Sequence, residues 1–327
     1  MAVQVMHITN KEKKLLSIIK GKTEKWNKDN ISRTKAYENF FVLHPEIKWS
    51  FLAGMVSRNA GWNMCDLEGV WYSKILSQKY RRQLFLTYEE ANWRIFEDAY
   101  PQLLLYHYST KYNRSLFHLC PHFFITDFIK NEWCSFWENG NRDRLMTALV
   151  INEQNIIEPI IKKRSFVFHS ILFFLQDCMH FSTVIFPTCE GELYGASVSH
   201  FRSVDERIEL GKRLADLLFR KELFPVFFEF ANRTEPTGAR FDYEQYRKRP
   251  RLYETPMLRV AYPIIPHRSV TPKSWRIKKK VKKEWFYESK WKENPLLTDW
   301  FDHKQKQLHT TVMLKNLIFE KEKKGRL

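Results

Sequence analysis

The chain has 327 residues, 44% of them hydrophobic and 28% charged, which excludes disorder over most of its length. Only 10 glycines are present, few for a doubly wound nucleotide-binding fold, whose phosphate turns consume several. The formal net charge of +17 points to polyanions rather than polycations as partners.

Residues 1–14 show no apolar stretch followed by small residues, so no secretory signal is expected. Cys65, Cys120, Cys134, Cys178 and Cys189 are odd in number and form no C-x-x-C pair. That spacing argues against a disulfide framework or a zinc knuckle and for a reducing cytoplasm.

Helical signals dominate. Asn10 can cap a helix carrying Leu15, Leu16, Ile18 and Ile19, and Ser32 a second one that stops before Pro45. Residues 47–60 read as a third helix closed by Gly61. Thr87 with Glu90 reads as a capping box, and Pro101 as a kink or a restart. Asp127 can cap a helix ending near Gly140. Ser165 to Pro187 is the most apolar window, but His169, Gln176, Asp177 and His180 make it a buried core helix rather than a membrane span. Ser203 with Glu206 opens the best-capped helix, and residues 226–230 suit either helix or strand. Strand signals are otherwise thin, so the expected fold is all-α. It comprises a single large helical bundle-like body over 1–245 and an extended basic C-terminal arm with a terminal helix over 246–327.

Residues 251–327 hold 19 Lys and Arg against 8 Asp and Glu. Within them, Trp275, Arg276, Lys278, Lys279, Lys280, Lys282, Lys283 and Trp285 interleave cations with aromatics. Such a pattern suits phosphate neutralisation with base stacking, or an anionic lipid surface. A solvated tail whose tryptophans dock on the body is the plainer alternative. Nucleic acid or another polyanion is therefore the expected partner, with peripheral membrane contact as an alternative and no transmembrane segment.

A second constellation is polar and set in apolar surroundings. His169, Gln176 and His180 share one helical face, with Asp177 at its edge. Arg58, Asn59 and Asn63 cluster beside Trp62, on a helix whose Ser50, Gly54, Ser57 and Gly61 allow close approach of a neighbour. Arg240 and Asp242 lie in a turn that could close a site. These residues could line the pocket of a helical enzyme or small-ligand binder, or Arg58 could simply neutralise a buried acid such as Asp177. Asp177 and His180 have the spacing of carboxylate-bridged metal bundles, but no second copy of the motif is present, so no metal and no cofactor is expected. His118, Cys120 and His122 match no closed zinc spacing. Walker, G-x-G-x-x-G, H-E-x-x-H and G-x-S-x-G patterns are absent from the sequence.

Ser32-Arg33-Thr34-Lys35-Ala36-Tyr37, His44-Pro45-Glu46-Ile47-Lys48-Trp49 and Ser57-Arg58-Asn59-Ala60-Gly61-Trp62-Asn63 resemble the YppC-like uncharacterised family of Bacillus-type bacteria. Gly238-Ala239-Arg240-Phe241-Asp242-Tyr243-Glu244 is similar in the same sense. The resemblance covers most of the chain. It implies a bacterial cytosolic setting, and it carries neither an activity nor a catalytic residue.

Overall fold

The computed structural model describes residues 8–163, 182–248, 255–268, 275, 280–289, 291 and 294–324, with side chains to 314. Helix α1 (Asn10–Trp26) starts at Thr9 rather than Asn10, because Thr9 and Glu12 form a reciprocal capping box. Helix α2 (Asn30–Leu43) starts at Asp29, whose carboxylate accepts the Ser32 N–H. Helix α3 (Lys48–Asp66) runs down the middle of the molecule and is buried along nearly its whole length.

Gly61 does not end α3. It lies inside the helix because the chain passes tightly over it: a Cβ there would sit 3.3 Å from the Gly238 Cα. The neighbouring small residues serve α2 in the same way. Gly54 faces Tyr37 and Glu38, and Asn30 donates to the Ser57 carbonyl at 3.0 Å. Two backbones can pack this closely only where side chains are short.

After the short α4 (Val70–Ile75), α5 (Gln78–Tyr112) runs for 35 residues. It begins well before Thr87, whose hydroxyl instead donates to the Gln83 carbonyl within the helix. Pro101 is carried inside it without interruption. A 3₁₀ turn (Phe117–Phe123) leads to α6 (Asp127–Asn139), capped by Thr126 and closed by Gly140 at φ +68°. Helix α7 (Arg142–Lys163) then packs on α5 and α3.

Strands appear where none was expected. β1 (Thr183–Pro187) pairs antiparallel with β2 (Leu193–Ser197), Thr183 facing Ser197 and Pro187 facing Leu193. The fold is therefore predominantly helical with one small hairpin. The end of the apolar 165–187 window is strand rather than helix, and residues 164–181 lie outside the described residues. β1 is a continuous apolar run, so it shows no alternation, and its turn uses Gly191 at φ +86° rather than an Asn-Gly pair. Among the described residues no helix is long and apolar enough to cross a membrane.

The remaining helices are α8 (Val204–Leu218), α9 (Phe224–Arg233), α10 (Phe241–Glu244), α11 (Leu258–Ala261) and α12 (Thr298–Lys324). Residues 226–230 are thus helical, with Pro225 in the first turn of α9, where its missing N–H costs nothing. The main core joins Trp49, Trp62, Phe96, Trp133, Phe186 and Phe227 across α3, α5, α6, β1 and α9. A second cluster beside it holds Ile31, Met64, Tyr72, Leu84, Leu258 and Leu308.

The stretch after residue 246 is strapped to the body. Arg259 pairs with Asp29 at 2.7 Å, Tyr262 stacks on Phe85 with centroids 3.6 Å apart, and His267 stacks on Trp93. Near the end of the chain the Gly195 N–H donates to the Pro295 carbonyl, and the Leu297 N–H donates to that of Leu193.

Candidate polyanion interface

The buried polar residues of α3 meet the 234–243 turn. Arg240 is 1% exposed and donates from Nε to Asp66 Oδ2 at 2.6 Å, from Nη1 to the Tyr243 hydroxyl and from Nη2 to Asn63 Oδ1. The Trp62 indole donates to Asp242 Oδ2 at 2.9 Å, and Thr237 donates to the other oxygen of that carboxylate. Arg58 makes a two-pronged pair with Glu38, and its guanidinium also donates to the carbonyls of Thr234 and Ala231, tying down the C-terminal end of α9. Asn59 accepts from the Ile185 N–H and so holds the edge of β1.

Sequence reasoning thus grouped six residues that do come together: Arg58, Asn59, Trp62, Asn63, Arg240 and Asp242. Their guanidinium groups are committed, although among the described residues Asp66 Oδ1 is buried without a hydrogen-bond partner. Each guanidinium faces a carboxylate and further oxygens, as a buried cation requires. Burial pushes the Asp66 carboxyl up to about 6 against the pull of Arg240, and it raises Asp242 and Glu38 as well. The cluster pins the turn to α3, and among the described residues the acid that pairs with Arg58 is Glu38. His169, Gln176, Asp177 and His180 lie outside the described residues. Among the described residues no group of three His, Cys, Asp or Glu could hold a metal ion, and His118 is taken up by Glu12 at 2.9 Å.

The basic arm is anchored by its tryptophans. Trp285, 5% exposed, packs with Ile151 and Ile208 and donates its N–H to Asp205 at 2.6 Å. Trp275 donates to Asn152 at 3.0 Å and meets Phe128 edge-on. An indole that can bury its ring and satisfy its N–H gains more than one left in water, which is why these side chains turn inward. This corrects the stacking role expected of Trp285, whose ring is enclosed. Lys282 is neutralised by both oxygens of Asp205, whereas Lys280 and Lys283 are exposed. Arg276, Lys278 and Lys279 lie outside the described residues.

A stronger basic surface lies at the other end of the chain. Residues 10–28 hold seven lysines, all exposed, against one exposed carboxylate, Glu24. Glu12 is turned inward, where the Thr9 backbone and side chain and His118 hold its carboxyl down at about 2. Leu15, Ile19 and Thr23 form the buried face of α1. At 100° per residue Lys11, Lys14, Lys22 and Lys25 fall along one exposed flank, spanning roughly 20 Å at 1.5 Å per residue. The exposed Ile18 lies among them, and Ser17 and Gly21 border the flank, where a Cβ at Gly21 would meet nothing within 4 Å. Lys22 reaches the Tyr108 hydroxyl on α5 at 3.1 Å, which places the flank beside the exposed Lys111 and Arg114. Sequence reasoning missed this surface by scoring only the apolar positions of α1. The signal available was the spacing of the lysines relative to Leu15 and Ile19.

A family model described as protein of unknown function (DUF2515) matches residues 25–309. The chain belongs to the DUF2515 family. The uncharacterised protein YppC of Bacillus subtilis (strain 168) is 48% identical over 304 residues, covering 91% of this chain and 94% of the relative. No solved structure matches. The DUF2515 match takes in the whole Arg58–Arg240 cluster and the described part of the basic arm, whereas Lys11, Lys14 and Lys22 precede it.

Proposed function

We propose that this protein binds the phosphate backbone of nucleic acid, chiefly across the exposed lysine flank of α1 and secondarily along the docked arm. The observation that carries the reading is the helix-borne row of Lys11, Lys14, Lys22 and Lys25, continued by Lys111 on α5 and by Arg114 just beyond its end, which also pairs with Glu12 at 3.5 Å. A rigid row of cations neutralises a line of phosphates without ordering a flexible tail, and it releases their counterions. Ile18 is the only large apolar residue exposed on α1, so charge outweighs apolar surface along that helix. The arm contributes Lys280 and Lys283 as charges, with its tryptophans acting as anchors. A pocket built on Arg58 has less support, because its donors are already committed to Glu38 and two carbonyls.

Fluorescence anisotropy with single- and double-stranded oligonucleotides tests the reading. With six or more phosphate contacts, affinity should fall by roughly 10³-fold or more between 50 and 200 mM salt. The triple change Lys14→Glu, Lys22→Glu and Lys25→Glu should remove most of the affinity, and Lys280→Glu with Lys283→Glu a smaller part. Absence of binding at 50 mM salt, insensitivity to salt, or binding to anionic vesicles in preference to oligonucleotides would overturn it.

A further inference from the structure

Beside the lysine flank is a chain of proton carriers. Glu46 Oε1 lies 3.3 Å from His44 Nδ1 and also accepts from the Tyr106 hydroxyl at 2.8 Å. His44 Nε2 lies 2.9 Å from His107 Nδ1. His44 is buried among Phe40, Tyr106 and His107, and His107 is half-buried. Among the described residues the other His107 nitrogen, Nε2, has no hydrogen-bond partner.

This geometry limits where protons can be. With Glu46 ionised, His44 donates from Nδ1, so its Nε2 accepts the Nδ1–H of His107. His107 Nε2 is then a bare acceptor. One added proton changes that without breaking a bond. Whether the charge rests on His107 or passes to His44 beside Glu46, Nε2 of His107 becomes an N–H donor. A second proton would put hydrogens on both facing nitrogens and break the ring–ring contact. The chain therefore accepts one proton, and the effect appears at the His107 end.

The charged and titratable groups around that end come from four elements. Lys22 of α1 and Lys111 of α5 both repel a proton on His107, as does His44 following α2. Tyr106 and Tyr108 of α5 contact the rings, and Arg142 at the start of α7 acts on Tyr106. Glu46 is the one carboxylate in the chain. Burial first, then His44, Lys22 and Lys111, hold His107 below its usual value near 6.5. A phosphate lying against Lys22 and Lys111 would cancel their repulsion and accept a hydrogen bond from Nε2.

We propose that the Glu46–His44–His107 chain gives the lysine flank one additional phosphate contact that is made only in acid. This rests on the nucleic-acid reading above and adds a regulation to it. Binding and protonation are then linked, so the bound complex takes up a proton that the free protein leaves in solution.

The test is oligonucleotide affinity at fixed salt between pH 8 and pH 5.5, for the full chain and for His107→Gln. The unaltered protein should gain about tenfold on acidification and His107→Gln less than twofold, with matching thermal unfolding curves confirming that both are folded. The salt dependence of the unaltered protein should steepen by about one phosphate equivalent at the lower pH. Histidine ring resonances should show His107 titrating at higher pH with a 12-mer oligonucleotide bound than without it. Glu46→Gln, which removes the counter-charge, should move the gain to lower pH. An equal gain in His107→Gln, or a His107 titration unmoved by the oligonucleotide, overturns the inference while leaving the binding reading intact. Failure to bind at any pH overturns both.

Discussion

Glu153 shows what a single buried carboxyl costs this fold. Its oxygens accept from the Trp49 indole at 3.1 Å and from the Gln154 amide at 3.1 Å, and among the described residues no cation pairs with it. Burial pushes it up to about 7, from an ordinary 4.5. The folded state thus holds a proton that the unfolded chain has lost. The associated stabilisation is complete below pH 4.5 and disappears as pH rises through 7. Asp98, raised to about 7 by burial, acts in the same direction. Glu153→Gln keeps the shape without the titration. At pH 8 it should be more stable than the parent by about 1–3 kcal/mol, each pKa unit being worth about 1.4 kcal/mol. Urea unfolding at pH 8 and pH 4.5 checks this, and the advantage should vanish at the lower pH. Arg58 and Arg240 teach the complementary lesson. Their residue type and helix position announced that a countercharge was needed. Which acid supplied it, Glu38 or Asp66, depended on the crossing of α2 and the return of the chain at 240, which periodicity does not encode.

Helices were readable where local chemistry decides them and misjudged where packing does. The Ser203 cap and the Gly140 stop both follow from nearest-neighbour hydrogen bonding. Gly61 looked like a terminator because glycine is a poor helix former, yet contact with Gly238 keeps it inside α3. Thr87 looked like a cap, but the helix had already begun nine residues earlier. Two glycine substitutions separate local propensity from close approach. Gly21→Ala on α1 fills open space and should stabilise by up to about 1 kcal/mol. Gly238 has φ +77°, and a Cβ there would come within 2.6 Å of the Leu258 Cβ. Gly238→Ala should therefore destabilise by about 1–3 kcal/mol, through both the backbone conformation and the clash. Chemical denaturation of the two variants side by side measures the contrast.

Across the molecule, the last quarter of the chain supplies walls that the first part lacks. Leu258 and Leu308 complete the cluster around Ile31, Met64 and Tyr72, and Phe301 closes the core beside Tyr243 and Arg240. A chain stopped at 246 would leave those faces open and lose the Arg259–Asp29 pair. It should be insoluble or rapidly digested by protease under conditions where the full chain resists, and limited proteolysis of both forms is the check. The basic composition of the arm was plain in the sequence. Docking of its tryptophans on the body was one of the two sequence readings, but their partners were not legible, because an indole and an aspartate 80 positions apart give no periodic signal.

The long reach of Arg240 to Asp66 also constrains synthesis. The two residues are separated by 174 positions. At about 5–20 residues per second the ribosome needs roughly 10–35 s to deliver the arginine after the aspartate. Throughout that interval the C-terminal end of α3 carries an acid whose native counterion does not yet exist. The nascent segment must therefore stay hydrated and loosely held, and native closure is deferred until translation is well past its midpoint.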